Sequence, residues 1–172
     1  MGYRSDVVQA IAFPSKDKLL SFLTECRLDG VIDKDELNEY VVKVWSYNFG
    51  GTENIIEFVY VLEAKFNDVK WYDYFEDVKQ HEAMLELANE KGFPTCFIRI
   101  GEDTGDTVQE VCSGPVDDFE FLWWEYGYEV IRSYDIAEGD ATLTMQDFLK
   151  TNRSSDDGQQ PETSESQDAV SA

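Results

Sequence analysis

The chain contains one histidine, His81, and this single imidazole limits the catalytic chemistry that the sequence supports. Zinc sites built from several histidines are excluded. A hydrolase triad would have to use His81, although no Gly-x-Ser-x-Gly turn is present to hold a nucleophile. His81 falls on the apolar face of a predicted helix, where a lone histidine is typically a hydrogen-bonded core residue. We therefore expect a structural role for it.

The three cysteines, Cys26, Cys96 and Cys112, are far apart in the sequence and lack Cys-x-x-Cys spacing. This pattern predicts three reduced thiols in a cytosolic protein. The two glycine patterns that cradle phosphates, Gly-x-x-x-x-Gly-Lys-Ser/Thr and Gly-x-Gly-x-x-Gly, do not occur. We therefore predict no cofactor, no metal ion and no enzymatic activity.

The segment over residues 25–36 has the spacing of the second half of a calcium-binding EF-hand loop. Asp29, Asp33 and Glu36 fit its fifth, ninth and twelfth positions. The first half fails, because Glu25 would be the first ligand and Arg27, a cation, would occupy the third position. We interpret the segment as a turn that ends a helix.

Four glutamates follow one face of the predicted second long helix. Glu82, Glu86 and Glu90 recur every four residues, and Glu76 extends the row towards the start of the helix. At a rise of about 1.5 Å per residue, neighbouring carboxylates lie about 6 Å apart, a spacing comparable to that of phosphates along a nucleic-acid strand. The alternative is an ordinary solvated face, which Lys79 within the row favours. These four residues are called the glutamate row below.

A second acidic region covers residues 101–150, with 13 acidic and 2 basic residues. Its carboxylates alternate with aromatic residues. This pattern predicts either a core beside a solvated surface or a patch that binds a basic protein partner. The candidate partner-binding residues in this region are Glu102, Asp103, Asp106, Glu110, Asp117, Asp118 and Glu120.

The overall charge excludes several classes of partner. The 172 residues carry 36 acidic and 14 basic side chains, for a net charge of −22. Nucleic acid and anionic membranes would repel such a chain. The 42% of hydrophobic residues indicates a folded body. No apolar run approaches the roughly 20 residues of a membrane span, and charges near the N-terminus argue against a secretion signal.

The elements that position these residues follow from apolar periodicity. Strands are predicted over residues 3–13, 40–49, 55–66, 95–100, 107–112 and 128–134, with a hairpin turn at 50–54. Helices are predicted over residues 15–28 and 72–91, with short helical segments at 33–39, 117–125 and 145–150. The apolar face of the second long helix is predicted to contain Tyr74, Val78, His81, Met84, Leu85 and Ala88.

The element order β-α-β-β-α-β, followed by one or two strands, predicts an α+β fold of the ferredoxin-like, split βαβ type. Such a fold has an antiparallel sheet with two helices on one face, here with extra C-terminal strands. Residues 1–150 are predicted to form a single domain. Residues 151–172 contain no aromatic residue and one valine, so we predict a disordered acidic tail.

Three segments of the chain resemble a family of small acidic proteins encoded by tailed bacteriophages and prophages. These segments are MGYRSDV at residues 1–7, VKWYDYFEDV at 69–78 and FIRIGE at 97–102. The resemblance covers residues 1 to about 135. It implies a phage gene product that acts in the cytoplasm of the bacterial host, and it implies no catalytic residues.

Charge and resemblance together favour a non-enzymatic accessory protein that binds a basic host protein. The target would be a nucleic-acid-binding protein, such as a CRISPR effector, a restriction enzyme or a polymerase, and carboxylates would take the place of phosphates. One alternative is a virion-associated or assembly protein in which acidity provides only solubility. Another is a small enzyme or ligand-binding domain with a pocket that the sequence does not reveal.

Overall fold

The structure, a computed structural model, describes residues 2–47, 57–103, 105–112 and 141–153. These residues form a six-stranded antiparallel sheet and four helices, which confirms the α+β class. The strands are β1 (Ser5–Phe13), β2 (Tyr40–Tyr47), β3 (Glu57–Val69), β4 (Thr95–Gly101), β5 (Thr107–Cys112) and β6 (Ala141–Thr144). The helices are α1 (Lys16–Leu28), α2 (Lys34–Leu37), α3 (Glu76–Glu90) and α4 (Met145–Arg153).

The strand order is β5-β4-β1-β3-β2-β6, and every pair of neighbours is antiparallel. The inner four strands, β4-β1-β3-β2, have the predicted split βαβ layout. In this layout β3 lies between β1 and β2, and β1 lies between β3 and β4. The additional strands β5 and β6 extend the sheet at its two edges.

The central strand β1 is buried on both faces. Val7, Ile11 and Phe13 point towards the helices, and Val8 and Ala10 point to the opposite face, all with 0% exposure. Because successive side chains of a strand alternate between the faces, a strand covered on both sides is apolar at nearly every position. This explains why its sequence lacks the polar-apolar alternation of a half-exposed strand.

The main core lies on the face of the sheet that carries α1 and α3. Phe13 of β1 packs between Phe22 of α1 and Phe93, with ring centroids 5.2 Å and 4.7 Å away. Helix α4 joins the same core, since Phe148 contacts Tyr60 of β3 with ring centroids 6.4 Å apart. The sequence predicted two helices on this face, and α4 and the short helix α2, through Leu37, pack there as well.

The ends of α1 follow the sequence signals closely. The Ser15 side chain accepts a hydrogen bond from the Lys18 backbone amide and so caps the helix. The helix ends at Leu28, and Gly30 adopts the left-handed conformation that commonly follows a helix, with φ of 65°. Gly92 does the same after α3, with φ of 80°.

Helix α3 begins at Glu76, four residues later than predicted. Phe75 occupies the capping position in an extended conformation, with φ of −77° and ψ of 138°. Tyr74 therefore precedes the helix and is 64% exposed. The expectation that Tyr74 lies on the apolar helix face is wrong, whereas Val78, His81, Met84 and Ala88 are buried as predicted.

Other predicted elements lie partly or wholly outside the described residues. These are the hairpin turn at 50–54, the helical segment at 117–125 and the strand at 128–134. Helix α4 continues through Arg153, three residues past the predicted domain boundary at residue 150. Within the described ranges, no helix is long and apolar enough to cross a membrane.

An ion pair is buried on the sheet face opposite the helices. Lys43 of β2 and Glu63 of β3 lie 3.3 Å apart, and their side chains are 6% and 3% exposed. A charge in such a site depends on its partner, because removing either member takes away an opposite charge 3.3 Å from a buried one.

We predict that Lys43→Met lowers the free energy of unfolding by about 3–5 kcal/mol, because Glu63 would lose its buried counter-charge. Urea denaturation measures this loss. The matched control is Lys79→Met, which breaks an exposed ion pair with Glu76 and should cost less than about 1 kcal/mol. Equal losses in the two variants would contradict the prediction.

Candidate functional site

All four members of the glutamate row are exposed on α3. They lie away from the buried face of the helix, which contacts the sheet through Val78, His81, Met84 and Ala88. The row therefore faces solvent along the full length of the helix. With a rise of about 1.5 Å per residue, it extends over roughly 21 Å.

Lys79 within the row and Lys91 directly after it in sequence are both engaged in ion pairs. Lys79 lies 3.9 Å from Glu76, and Lys91 lies 2.6 Å from Glu25 of α1. Among the described residues, Glu82, Glu86 and Glu90 form no ion pair. These three carboxylates form an uncompensated negative stripe.

The surroundings of Glu82 favour the protonated form of its carboxyl group. Partial burial raises the pKa of its carboxyl group, and the nearby charge of Asp73 raises it further. The negative field around the start of α3 thus has contributions from the segment before the helix as well as from the row.

His81 is held in a buried polar network on the opposite side of α3. The Tyr40 hydroxyl lies 2.9 Å from Nδ1, and Glu36 Oε2 lies 2.9 Å from Nε2. Gln9 donates through Nε2 to the Tyr40 hydroxyl and to the His81 carbonyl, at 3.0 Å and 2.7 Å. This arrangement, the His81 network, connects α3 to α2, β1 and β2. The expectation of a hydrogen-bonded core histidine is confirmed.

The protonation of this network follows from its burial. Burial lowers the pKa of His81, against the opposing effect of Glu36, so the imidazole is neutral at pH 7. Burial raises the pKa of Tyr40, which stays protonated. Gln9 donates a hydrogen bond to the Tyr40 oxygen, so we assign the Tyr40 hydroxyl proton to the bond with His81 Nδ1. The imidazole proton then lies on Nε2, which donates to Glu36.

We predict that the protein loses stability as the pH falls below about 6.5, the pKa of histidine in an unfolded chain. The pKa of His81 is lower in the folded state, so the unfolded state binds more protons in this window. Urea midpoints between about pH 5 and 7 measure the effect, which is at most about 1.4 kcal/mol per pH unit for one proton. A His81→Gln variant should show a shallower slope, and an unchanged slope would contradict the assignment.

The three segments that carry the family resemblance meet at one end of the sheet. Tyr3 donates from its hydroxyl to Asp106 Oδ2 at 2.6 Å, and the Arg4 backbone amide donates to Glu102 Oε1 at 2.9 Å. The Tyr72 hydroxyl donates to the Tyr3 carbonyl at 3.2 Å. Residues about 70 and 100 positions apart in the chain are thereby joined.

The carboxylates at this end of the sheet differ in their exposure and in the bonds that they already form within the protein. Asp106 is half-buried and pairs with Arg99 Nη2 at 3.1 Å as well as with the Tyr3 hydroxyl, a bond that raises the pKa of Tyr3. Glu102 is exposed but accepts the Arg4 amide bond. Asp103 and Glu110 are exposed. The remaining candidates, Asp117, Asp118 and Glu120, lie outside the described residues.

The glutamate row and the turn between β4 and β5 do not form one compact patch. Ser5 of β1 pairs with Val69 on one side and with Gly101 on the other, so β3 and β4 end at the same edge of the sheet, with β1 between them. Helix α3 follows β3, so Glu76 lies at this end of the sheet. Glu90 lies at the other end of the helix, roughly 21 Å away.

Gly101 permits the close packing of this sheet end. A Cβ atom at this position would overlap the Tyr3 hydroxyl and the Asp106 carboxylate. We predict that Gly101→Ala lowers the free energy of unfolding by about 1–3 kcal/mol, as overpacking typically does.

The matched control for this change is Gly105→Ala in the same turn, where a Cβ would meet nothing within 4 Å. Urea denaturation of the two variants compares them directly. Equal stability of Gly101→Ala and the unmodified protein would contradict the packing that we describe.

The segment that resembles half of an EF-hand forms a helix-terminating turn, as interpreted. Asp33 caps α2 by accepting the Glu36 backbone amide at 2.9 Å, and it also accepts from Gln80 Nε2 at 3.2 Å. These bonds, the Glu36 amide first, lower the pKa of Asp33. Within the described ranges, no group of three or more His, Cys, Asp or Glu residues is placed to hold a metal ion.

A surface feature that the sequence did not reveal precedes α3. Tyr72 and Tyr74 stack in parallel, with ring centroids 5.3 Å apart and an interplanar angle of 5°. Phe75 meets both rings edge-on, at 5.5 Å and 4.7 Å. These three residues are called the aromatic cluster. The sequence does show three aromatic residues within the span 72–75. Because this span was predicted to be helical, these residues were not identified as a surface cluster.

Grooves on the described surface include ones with volumes of about 220, 330 and 330 Å³. Neither His81 nor Cys26 is among their lining residues. Burial raises the pKa of the Cys26 thiol to about 12, so Cys26 is protonated at neutral pH and is a poor nucleophile.

Comparisons of this chain with protein-family models, with curated proteins and with solved structures give no significant match.

Proposed function

We propose that this protein is a non-enzymatic phage accessory protein that binds a basic host protein through the glutamate row. The partner is a nucleic-acid-binding protein of the bacterial cytoplasm, of the kind that acts in defence or nucleic-acid processing. The protein occupies the basic surface that this partner uses for phosphates. The observation that carries the proposal is the exposed stripe of Glu82, Glu86 and Glu90, which form no ion pair with any cation of the described residues.

The stripe presents charge with a regular spacing. Its carboxylates recur about every 6 Å along a rigid helix, so several of them can face basic side chains arranged to contact successive phosphates. A rigid helix also reduces the ordering cost of binding, because the positions of the charges are set before the partner arrives.

The proposed contact is electrostatic and therefore sensitive to salt. A negative surface accelerates the capture of a positive partner, and exposed charges are screened over about 8 Å at physiological ionic strength. Asp103 and Glu110 add to the same field from the β4–β5 region, whereas Asp106 is engaged with Arg99 and Tyr3.

We predict that the triple variant Glu82→Gln, Glu86→Gln, Glu90→Gln loses its bound partners while it keeps its fold. The test is an affinity purification from a nuclease-treated bacterial lysate, with mass spectrometry of the retained proteins. The unmodified protein should retain nucleic-acid-binding proteins at about 150 mM salt and release them at about 1 M, where charges are screened within about 3 Å.

The matched control neutralises three exposed carboxylates that are not on α3 but on α1, on α2 and directly after α1, in the variant Asp17→Asn, Asp29→Asn, Asp35→Asn. It removes the same net charge and should retain the same proteins as the unmodified chain. If the two triple variants lose these proteins equally, net charge explains the capture and the glutamate row does not.

A further inference from the structure

The aromatic cluster is an exposed apolar surface at the start of the glutamate row. Tyr74 is 64% exposed although it stacks on Tyr72 and meets Phe75 edge-on. The stack holds the Tyr74 ring in a fixed orientation, so little side-chain freedom remains to be lost on binding. Tyrosines of this kind are frequent anchors of protein interfaces.

The charge around the cluster determines what can occupy it. Residues 70–90 contain six acidic and two basic side chains: Lys79, which pairs with Glu76, and Lys70, which lies near the Tyr72 hydroxyl beside Gly2, so the surroundings of the cluster carry a net charge of −4. Asp73 lies between the two stacked tyrosines in sequence, and its charge also raises the pKa of Glu82. An exposed aromatic ring in such a field attracts a cation.

Two other occupants are disfavoured by the same charges. Nucleobases stack on exposed aromatic rings, but the proteins that bind them place the rings in a positively charged groove. A second copy of this chain would bring the same carboxylates face to face, because a two-fold interface pairs each patch with itself.

We propose that the aromatic cluster is the docking site for an arginine side chain of the basic partner, with the guanidinium stacked on Tyr74. This inference rests on the proposed function, since the glutamate row would bind neighbouring basic residues of the same partner. Arginine fits better than lysine, because its planar guanidinium stacks on an aromatic ring and can still donate hydrogen bonds to carboxylates. Asp73, between the two stacked tyrosines in sequence, and Asp77, two residues after Phe75, supply such acceptors.

The test uses two fluorescently labelled peptides, nona-arginine and nona-lysine, which have equal charge and differ in their ability to stack. Fluorescence anisotropy at about 150 mM salt gives their affinities for the unmodified protein. We expect nona-arginine to bind about two- to fivefold more tightly, the preference that an exposed cation–π contact provides. Equal affinities would overturn the proposal.

The decisive variant is Tyr74→Leu, which keeps an exposed apolar side chain and removes the ring. It should abolish the preference for nona-arginine and leave the affinity for nona-lysine unchanged. The matched control is Leu28→Ala at another large apolar residue of the described part of the chain, 81% exposed, which should change neither affinity. Equal weakening of both peptides by Tyr74→Leu would overturn the proposal.

The triple variant of Glu82, Glu86 and Glu90 separates this inference from the proposed function. If the glutamate row binds basic partners, this variant weakens both peptides by similar factors and keeps the arginine preference, a result that supports both proposals. If it binds both peptides normally while Tyr74→Leu still abolishes the preference, the role of the row is refuted and the arginine site stands.

Discussion

The buried imidazole of His81 determines which face of α3 meets the sheet. A buried polar group needs hydrogen-bond partners, and both ring nitrogens find them on other elements, Glu36 of α2 and Tyr40 of β2. Gln9 of β1 adds a bond to the backbone of the same residue. Because these partners are fixed, the rotation of α3 about its axis is fixed as well. The helical period then directs Glu82, Glu86 and Glu90 towards solvent.

The exposed face of α3 is electrostatically unfavourable in the isolated protein. Like charges four residues apart destabilise a helix by a few tenths of a kcal/mol for each pair. Glu90 lies at the C-terminal end of the helix, where the helix dipole favours cations, and the last turn contains no basic residue. The packing of the buried face of α3 against the sheet therefore keeps the helix in place despite the repulsion within the row. A basic partner would relieve this repulsion. The electrostatic cost of the row in the free protein would therefore favour the proposed binding.

Much of the fold could be predicted because its signals are local. A few neighbouring residues are enough to predict the helix cap at Ser15 and the glycines after the helices, Gly30 and Gly92. The order of strands and helices also follows from such local patterns. The start of α3 was misplaced because Tyr74 matches the helical period although Phe75 is extended. Helix α4 was expected only as a short segment, since its packing against Tyr60 depends on a distant strand.

The partners of individual side chains could not be predicted, because they come from distant parts of the chain. The histidine was correctly placed in the core, but nothing near it in the sequence indicates Tyr40 or Glu36. Asp106 looked equivalent to the neighbouring carboxylates, whereas Arg99 and Tyr3 bind it in the structure. The aromatic cluster likewise becomes visible only when α3 is seen to begin after it.

In the proposed complex, the glutamate row occupies a surface that the partner otherwise uses for nucleic acid. The most direct measurement is a competition in which a nucleic-acid-binding protein, purified from the host through its capture by this protein, is titrated with a labelled DNA duplex. We predict that DNA and this protein exclude each other, so that each lowers the apparent affinity of the other and no ternary complex forms. A stable ternary complex, with both held by the partner at once, would contradict the account.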